Sequence, residues 1–225
     1  MLVKTRGIVL GSIKYKETSI IVNIYTEMLG LKSYIVNGVR DKKGKSAFFQ
    51  PLTILDLIVY DQASKGLNRI SEYVIHRPYK SSSFEPKKIA VLLFLSELFI
   101  KTLKEEHPDE ELFSFLVKRL SLFDELEEEY EDFHVLFLLD YLTYLGVRPS
   151  AAEDIARDFG RLLDEDVTVL FDSLLNEEKG TGTFSLKISS SLRRRALEVM
   201  IDYYQIHFPS MGRIQSLAIL KDVFS

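Results

Sequence analysis

The chain of 225 residues carries 29 Lys/Arg against 33 Asp/Glu, a net charge of −4, and contains no cysteine. Disulfides, thiol nucleophiles and thiolate metal sites are thereby excluded, and an apolar content of 46% places the chain with globular rather than disordered proteins. No run approaches the ~18 apolar residues that cross a bilayer, and the N-terminus lacks an apolar stretch of signal-peptide length, so no membrane association and a cytoplasmic location are expected.

The net charge conceals a division. Residues 1–80 hold 13 Lys/Arg against 6 Asp/Glu, a net of +7, whereas residues 81–225 net −11. A basic module joined to an acidic one points to a polyanion as partner of the first.

The basic module reads as about five strands. Residues 3–13 are rich in β-branched side chains, with Gly7 and Gly11 inside, glycines that let a strand bend or bulge. After a polar turn at 14–18, residues 19–26 alternate Ile20, Val22 and Ile24 against Ile21, Asn23 and Tyr25. A turn at 27–30 leads to a third strand, 31–39, in which Lys32, Tyr34 and Val36 share a face. Residues 38–46 form a polar, basic loop, and strands at 52–60 and 67–75 complete the set. Five short strands with glycine bends and one long loop predict an OB-type barrel. A small β-sandwich or SH3-like barrel is the rival arrangement.

Residues 77–86 (RPYKSSSFEP) carry no periodic apolar stripe and mark a domain boundary at 80/81. Beyond it the period becomes helical. Helices are predicted over 87–106, from Pro108-Asp109 onward, over 130–145 with Gly146 at its C-terminal end, and from Ser150 as N-cap to 159. Two more are predicted over 192–207 and 213–224, with 167–175 readable as helix or strand. The expected architecture is an α+β chain: a five-stranded OB-type barrel over 1–80, then an all-α bundle of about six helices over 81–225.

Little in the sequence points to catalysis. His76, His107, His134 and His207 are scattered without metal-ligand spacing. The acidic run 124–132 (DELEEEYED) lacks the interleaved ligands and glycine pivot of a calcium loop and reads as a solvated helix end or inter-helix loop. Gly44-Lys45-Ser46 resembles the end of a phosphate loop, but its glycine spacing from Gly38 is wrong and Phe48-Phe49-Gln50-Pro51 follows instead of a helix. No enzyme activity, cofactor or metal is expected.

Binding is the remaining reading. Lys4 and Arg6 share a face of the first strand, Lys14 and Lys16 flank Tyr15, Lys32 lies beside Tyr34, and Arg40, Lys42, Lys43 and Lys45 crowd one loop. Cations flanking exposed rings hold single strands, phosphates pairing with Lys/Arg and bases stacking on the rings; Tyr15 and Tyr34 are the candidate rings. Arg193, Arg194 and Arg195 form a second basic cluster, spread around a helix, with Glu198 or Asp202 as expected ion-pair partners.

Several segments, in order, resemble a known family. Arg6-Gly7-Ile8-Val9-Leu10 followed by Lys14-Tyr15-Lys16-Glu17-Thr18-Ser19, then the strand 20–26 and Leu29-Gly30, are similar to the opening of the bacterial recombination-repair RecO family. Gly38-Val39-Arg40 and Gln50-Pro51-Leu52 resemble its next two motifs. Tyr144-Leu145-Gly146-Val147-Arg148-Pro149, then Tyr203-Tyr204, His207, Ser216 and Leu220, resemble its later helices. The resemblance implies an OB-fold and a helical domain, binding of single- and double-stranded DNA, annealing of complementary strands, and a nucleoid-associated location. It further implies a mediator role with RecR, loading RecA onto DNA coated by single-stranded-DNA-binding protein, whose C-terminal tail is an expected partner. Many members carry a four-cysteine zinc site that this chain cannot form, so the 160–191 stretch must be held otherwise. On the residues without the resemblance, an RNA-binding OB factor and a helical protein adaptor stay open.

Overall fold

A computed structural model describes residues 1–39, 44–61, 66–103, 107–176 and 188–224. The N-terminal strands are β1 (Leu2–Tyr15), β2 (Ser19–Thr26), β3 (Gly30–Val36), β4 (Ile54–Tyr60) and β5 (Asn68–Ile75). They close in the order β1-β2-β3-β5-β4. All neighbours are antiparallel except β3 and β5, which meet in parallel at Tyr34–Asn68 and Ile35–Arg69. This is a five-stranded OB-type barrel, and its closure sets aside the sandwich alternative.

The 14-residue β1 spans two pairings, with β4 through residues 2–8 and with β2 through residues 7–15. A bulge between Val9 and Gly11 bends it from one to the other. Gly7 answers a packing demand rather than a bend: a Cβ there would sit 2.6 Å from Ile24 Cγ2 and 2.8 Å from Leu57 Cδ1. The inward residues Val9, Ile20, Val22, Ile24, Tyr34, Val36, Leu55, Leu57 and Val59 form the barrel core. A 3₁₀ turn, Lys45–Phe49, which the sequence reading treats as loop and its approach to Pro51, places Phe48 and Phe49 on the Tyr73 ring at centroid distances of 5.2 and 4.9 Å.

Seven α-helices follow among the described residues. The chain divides into two compact units, Met1–Glu125 and Leu126–Ser225. The first contains the barrel with α1 (Pro86–Thr102) and α2 (Glu110–Glu125). Ser96 of α1 donates its hydroxyl to Leu10 O, and the Tyr25 ring of β2 meets Phe113 of α2 at 6.1 Å with the rings tilted by 40°. Thus the change from strand to helix falls near residue 80, and the first two helices belong to the barrel's unit.

The second unit holds α3 (Phe133–Tyr144), α4 (Ala152–Phe159), α5 (Glu165–Asn176), α6 (Ser190–His207) and α7 (Ser216–Val223). In α3, nine of twelve side chains are buried, as expected of a helix apolar all round. Tyr204 of α6 donates to Leu138 O at 2.8 Å. Gly146, at φ +74°, takes the left-handed conformation that ends α3, and Val147 N–H donates back to Leu142 O. Ser150 does not cap α4. Instead the Asp154 carboxylate accepts the N–H groups of Ser150 and Ala151, so the cap comes from inside the helix. The ambiguous 167–175 stretch is helical, within α5. No described helix is long and apolar enough to cross a membrane.

Candidate nucleic-acid interface

Register places an apolar row on the outer face of the barrel. Ile13 opposes Ile21, Ile21 opposes Ile35, and Ile35 opposes Arg69, while the alternate residues Ile20 and Val22 point into the core. At the end of this row lies a groove of about 720 Å³. β1 contributes Tyr15 at its end and the turn after it Lys16, β3 contributes Ile35, β4 contributes Tyr60 at its end, and Leu67 leads into Asn68 and Arg69 of β5. These are the strands and loops with which OB folds hold oligonucleotides. Its described lining carries two cations and no carboxylate, a field suited to phosphate.

Local geometry places each group. Lys16 has φ +53°, a left-handed backbone unusual for a residue with a side chain. Its ammonium lies 5.4 Å from the Tyr15 ring centroid, within cation–π range. Tyr60, the last residue of β4, is 43% exposed, and Arg69 is exposed on β5. Tyr60, Ile35, Asn68 and Arg69 are absent from the site residues picked out by sequence.

The remaining sequence candidates separate. Tyr34 shares a face with Lys32, as its period requires, but that face is the barrel interior. Tyr34 is wholly buried, and burial pushes its hydroxyl pKa well above the ordinary tyrosine value. It is a core residue and no stacking platform. Lys32 is half-buried opposite Ile24. Lys4 and Lys14 are exposed on β1, and Lys45 opens the 3₁₀ turn. Arg40, Lys42 and Lys43 lie outside the described residues.

Arg6 is committed within the first unit. Its guanidinium donates from Nε and an Nη to both oxygens of Glu27 and sits 5.4 Å from the Phe113 ring centroid. The Glu27 hydrogen bond, opposed by burial, raises the Arg6 pKa, and the same bond holds the Glu27 carboxyl below its usual range. Arg6 anchors α2 to the barrel rather than presenting a charge to phosphate.

The arginine triplet is likewise structural at two of its three positions, with partners other than those expected. Arg193 Nε donates to Asp132 Oδ1 at 2.5 Å, and its guanidinium reaches Ile188 O at 3.2 Å. Asp132 Oδ2 in turn accepts the N–H of Ile188. Both side chains are nearly buried, so this pair ties the start of α3 to the residues before α6. Arg195 pairs with Asp164 and Asp166 at the start of α5, and Glu198 pairs with Lys221. Arg194 is exposed. Ion pairs thus hold the described parts of the 160–191 stretch. The chain has no thiolate for a zinc site, and among the described residues no three His, Asp or Glu side chains gather to hold a metal. The acidic run is anchored at both ends, by Asp132 here and by buried Asp124 in the first unit.

Comparison with known proteins accords with this architecture. The family model described as Recombination protein O N terminal matches residues 1–79, and that described as Recombination protein O C terminal matches residues 83–160. The DNA repair protein RecO of Phocaeicola vulgatus is 32% identical, that of Flavobacterium psychrophilum 32% and that of Bacteroides fragilis 31%, each alignment covering the whole of both chains. A barrel followed by helices, with full-length similarity to these relatives, places the chain in the RecO family of DNA repair proteins.

Proposed function

We propose that this chain is a non-enzymatic recombination mediator. It binds single- and double-stranded DNA on the outer face of its barrel and anneals complementary strands. With RecR, it helps load RecA onto DNA coated by single-stranded-DNA-binding protein. The observation that carries the DNA-binding step is the groove at the β1–β2 and β4–β5 loops, where Lys16 and Arg69 stand with Tyr15 and Tyr60 and no described carboxylate. Lys4, Lys14, Lys32 and Lys45, and by sequence Arg40, Lys42 and Lys43, are the further basic residues of the module proposed to meet DNA.

Annealing needs no catalytic group. A cationic face lowers the repulsion between two phosphate backbones, and the strands supply the pairing energy. Stacking one base on a ring is worth ~1–3 kcal/mol, comparable with the ~1.4 kcal/mol of a duplex step. An incoming complementary strand therefore displaces protein contacts at little net cost.

The second unit, drawn from the acidic part of the chain, suits protein contacts. Its groove of about 450 Å³, lined by Leu197, Leu220 and Phe224 together with Arg194, Lys221 and the carboxylates Glu198 and Asp222, is the place we assign to the C-terminal tail of single-stranded-DNA-binding protein. The test is a salt titration of oligonucleotide binding together with an annealing assay lacking ATP. Strong salt dependence and annealing without nucleotide are expected. A salt-independent isotherm, or preference for an RNA competitor of the same sequence, would count against the proposal.

A further inference from the structure

The groove of the second unit is lined on one side by α7, which buries the smallest share of its side chains among that unit's helices. We propose that α7 and the adjoining Phe224 form a latch, which closes over the apolar surface of α3 and α6 and is displaced when a peptide enters. This rests on the assignment of the groove to the tail of single-stranded-DNA-binding protein, and adds a regulatory step to it.

Three observations support the latch. The first is what α7 covers. The groove takes His134 from α3 and Leu197 from α6, while Leu220 and Phe224 come from α7 and the residue after it. The Phe224 ring lies 5.3 Å from that of the buried His134. Leu220 and Phe224, four residues apart, share one side of the helix and its end, and together hold the apolar surface that an incoming peptide needs. The second is how little holds α7. Of its eight residues only Leu220 is buried, against nine of twelve in α3, and Ile219 is half-exposed. A helix this short does not persist in water without docking. Lys221 Nζ ties it to Glu198 of α6 at 2.7 Å, but both side chains are partly in solvent, where such a pair contributes little. The third is its attachment. Met211 and Ile214, both buried, fix the chain just before α7, so the helix can leave while the rest of the unit stays packed. Elements that move are drawn from this weakly packed end of a fold.

Latch and peptide compete for one surface, so the apparent affinity falls with the fraction of molecules that stand open. Weakening α7 therefore tightens peptide binding. Were α7 simply a wall of a preformed site, weakening it would do the reverse.

The full chain and its Ile219→Pro and Phe224→Ala variants, each checked for a cooperative urea transition, are titrated with a fluorescent peptide of the cognate tail. Proline inside α7 breaks the helix from a position outside the groove, whereas Phe224→Ala removes the ring from His134. Both variants are expected to bind the peptide about threefold to tenfold more tightly than wild type. In the wild-type chain, amide hydrogen exchange over residues 216–224 is expected to quicken when peptide is added. Unchanged or weaker binding by either variant, or slower exchange in α7 with peptide bound, overturns the latch while leaving the groove as the tail site. Peptide binding by none of the three proteins overturns the assignment of the groove, and the latch with it.

Discussion

Lys88 Nζ donates to Ser81 Oγ at 2.5 Å, although Lys88 is wholly buried in the first turn of α1. The Ser81 hydroxyl donates in turn to Asp124 O, and the Asp124 carboxylate accepts the N–H groups of Lys80, Ser81 and Ser82. Burial pushes the Asp124 pKa up, yet those three donors outweigh it and leave the carboxyl below its ordinary range. The proline- and serine-containing segment after the barrel is thus pinned to the end of α2. Tyr79, donating to Leu52 O at 2.6 Å, fastens its other side to the barrel.

This knot makes a direct prediction. Asp124→Ala leaves three backbone donors without their acceptor and should cost about 2–4 kcal/mol. Lys88→Met replaces a buried cation with apolar volume and should cost much less, since such exchanges are often near neutral. Urea unfolding of the two variants checks the order; equal losses would mean that the lysine organises the segment as much as the carboxylate does.

Arg193→Ala should destabilise the chain by about 3–5 kcal/mol, because it strands the nearly buried Asp132 carboxylate. It should leave the salt dependence of single-strand binding unchanged. A shallower salt slope for this variant would restore Arg193 as a DNA contact.

The periodicities of the sequence carried nearly every strand and helix, because burial of alternate or i, i+3, i+4 residues is written locally. What they did not carry was decided by non-local pairing. Period two showed that Tyr34 and Lys32 share a face but not which face is inside. The apolar neighbour Val36 and the opposing Val22 were the available signal. The exposure of Tyr60 and Arg69 in one groove depends on the parallel closure of β3 against β5, which no local pattern announces. Arg193 meets an aspartate 61 residues away and Arg195 one 31 residues away, rather than the next-turn acids of their own helix.

Arg69→Ala should lower the slope of log K against log salt for a single strand by about 0.7, the loss of one phosphate contact. Its effect on folding should stay within about 0.5 kcal/mol, as for other exposed substitutions. An unchanged slope would remove Arg69 from the interface.

His134 makes stability depend on pH. Burial, then the nearby Arg193 charge, depresses its pKa to about 3. The unfolded chain therefore takes up a proton near pH 6.5 that the folded chain refuses. The stability present above pH 6.5 falls as the pH drops and is fully lost only below about 3. Between pH 7 and pH 5 the contribution is about 2 kcal/mol. A His134→Phe variant should lose that much less than wild type over this interval in denaturant titrations at the two pH values. Parallel losses would show that the carboxylates, not His134, set the acid sensitivity.

Lys16 offers the sharpest separation of stability from function. A side chain at φ +53° costs about 1 kcal/mol relative to the ordinary backbone regions, and glycine does not bear that cost. After allowance for the greater freedom of glycine in the unfolded chain, Lys16→Gly should be neutral to about 1 kcal/mol more stable. The same substitution removes the ammonium from over Tyr15 and one cation from the groove. Single-strand affinity should fall severalfold and the salt slope by about 0.7. Lys16→Ala should lose the same affinity without the relief of strain. Stability and affinity therefore move in opposite directions only for glycine. If Lys16→Gly weakens folding and binding together, the left-handed turn is held by fold-stabilising contacts of the lysine rather than by the demands of a binding site.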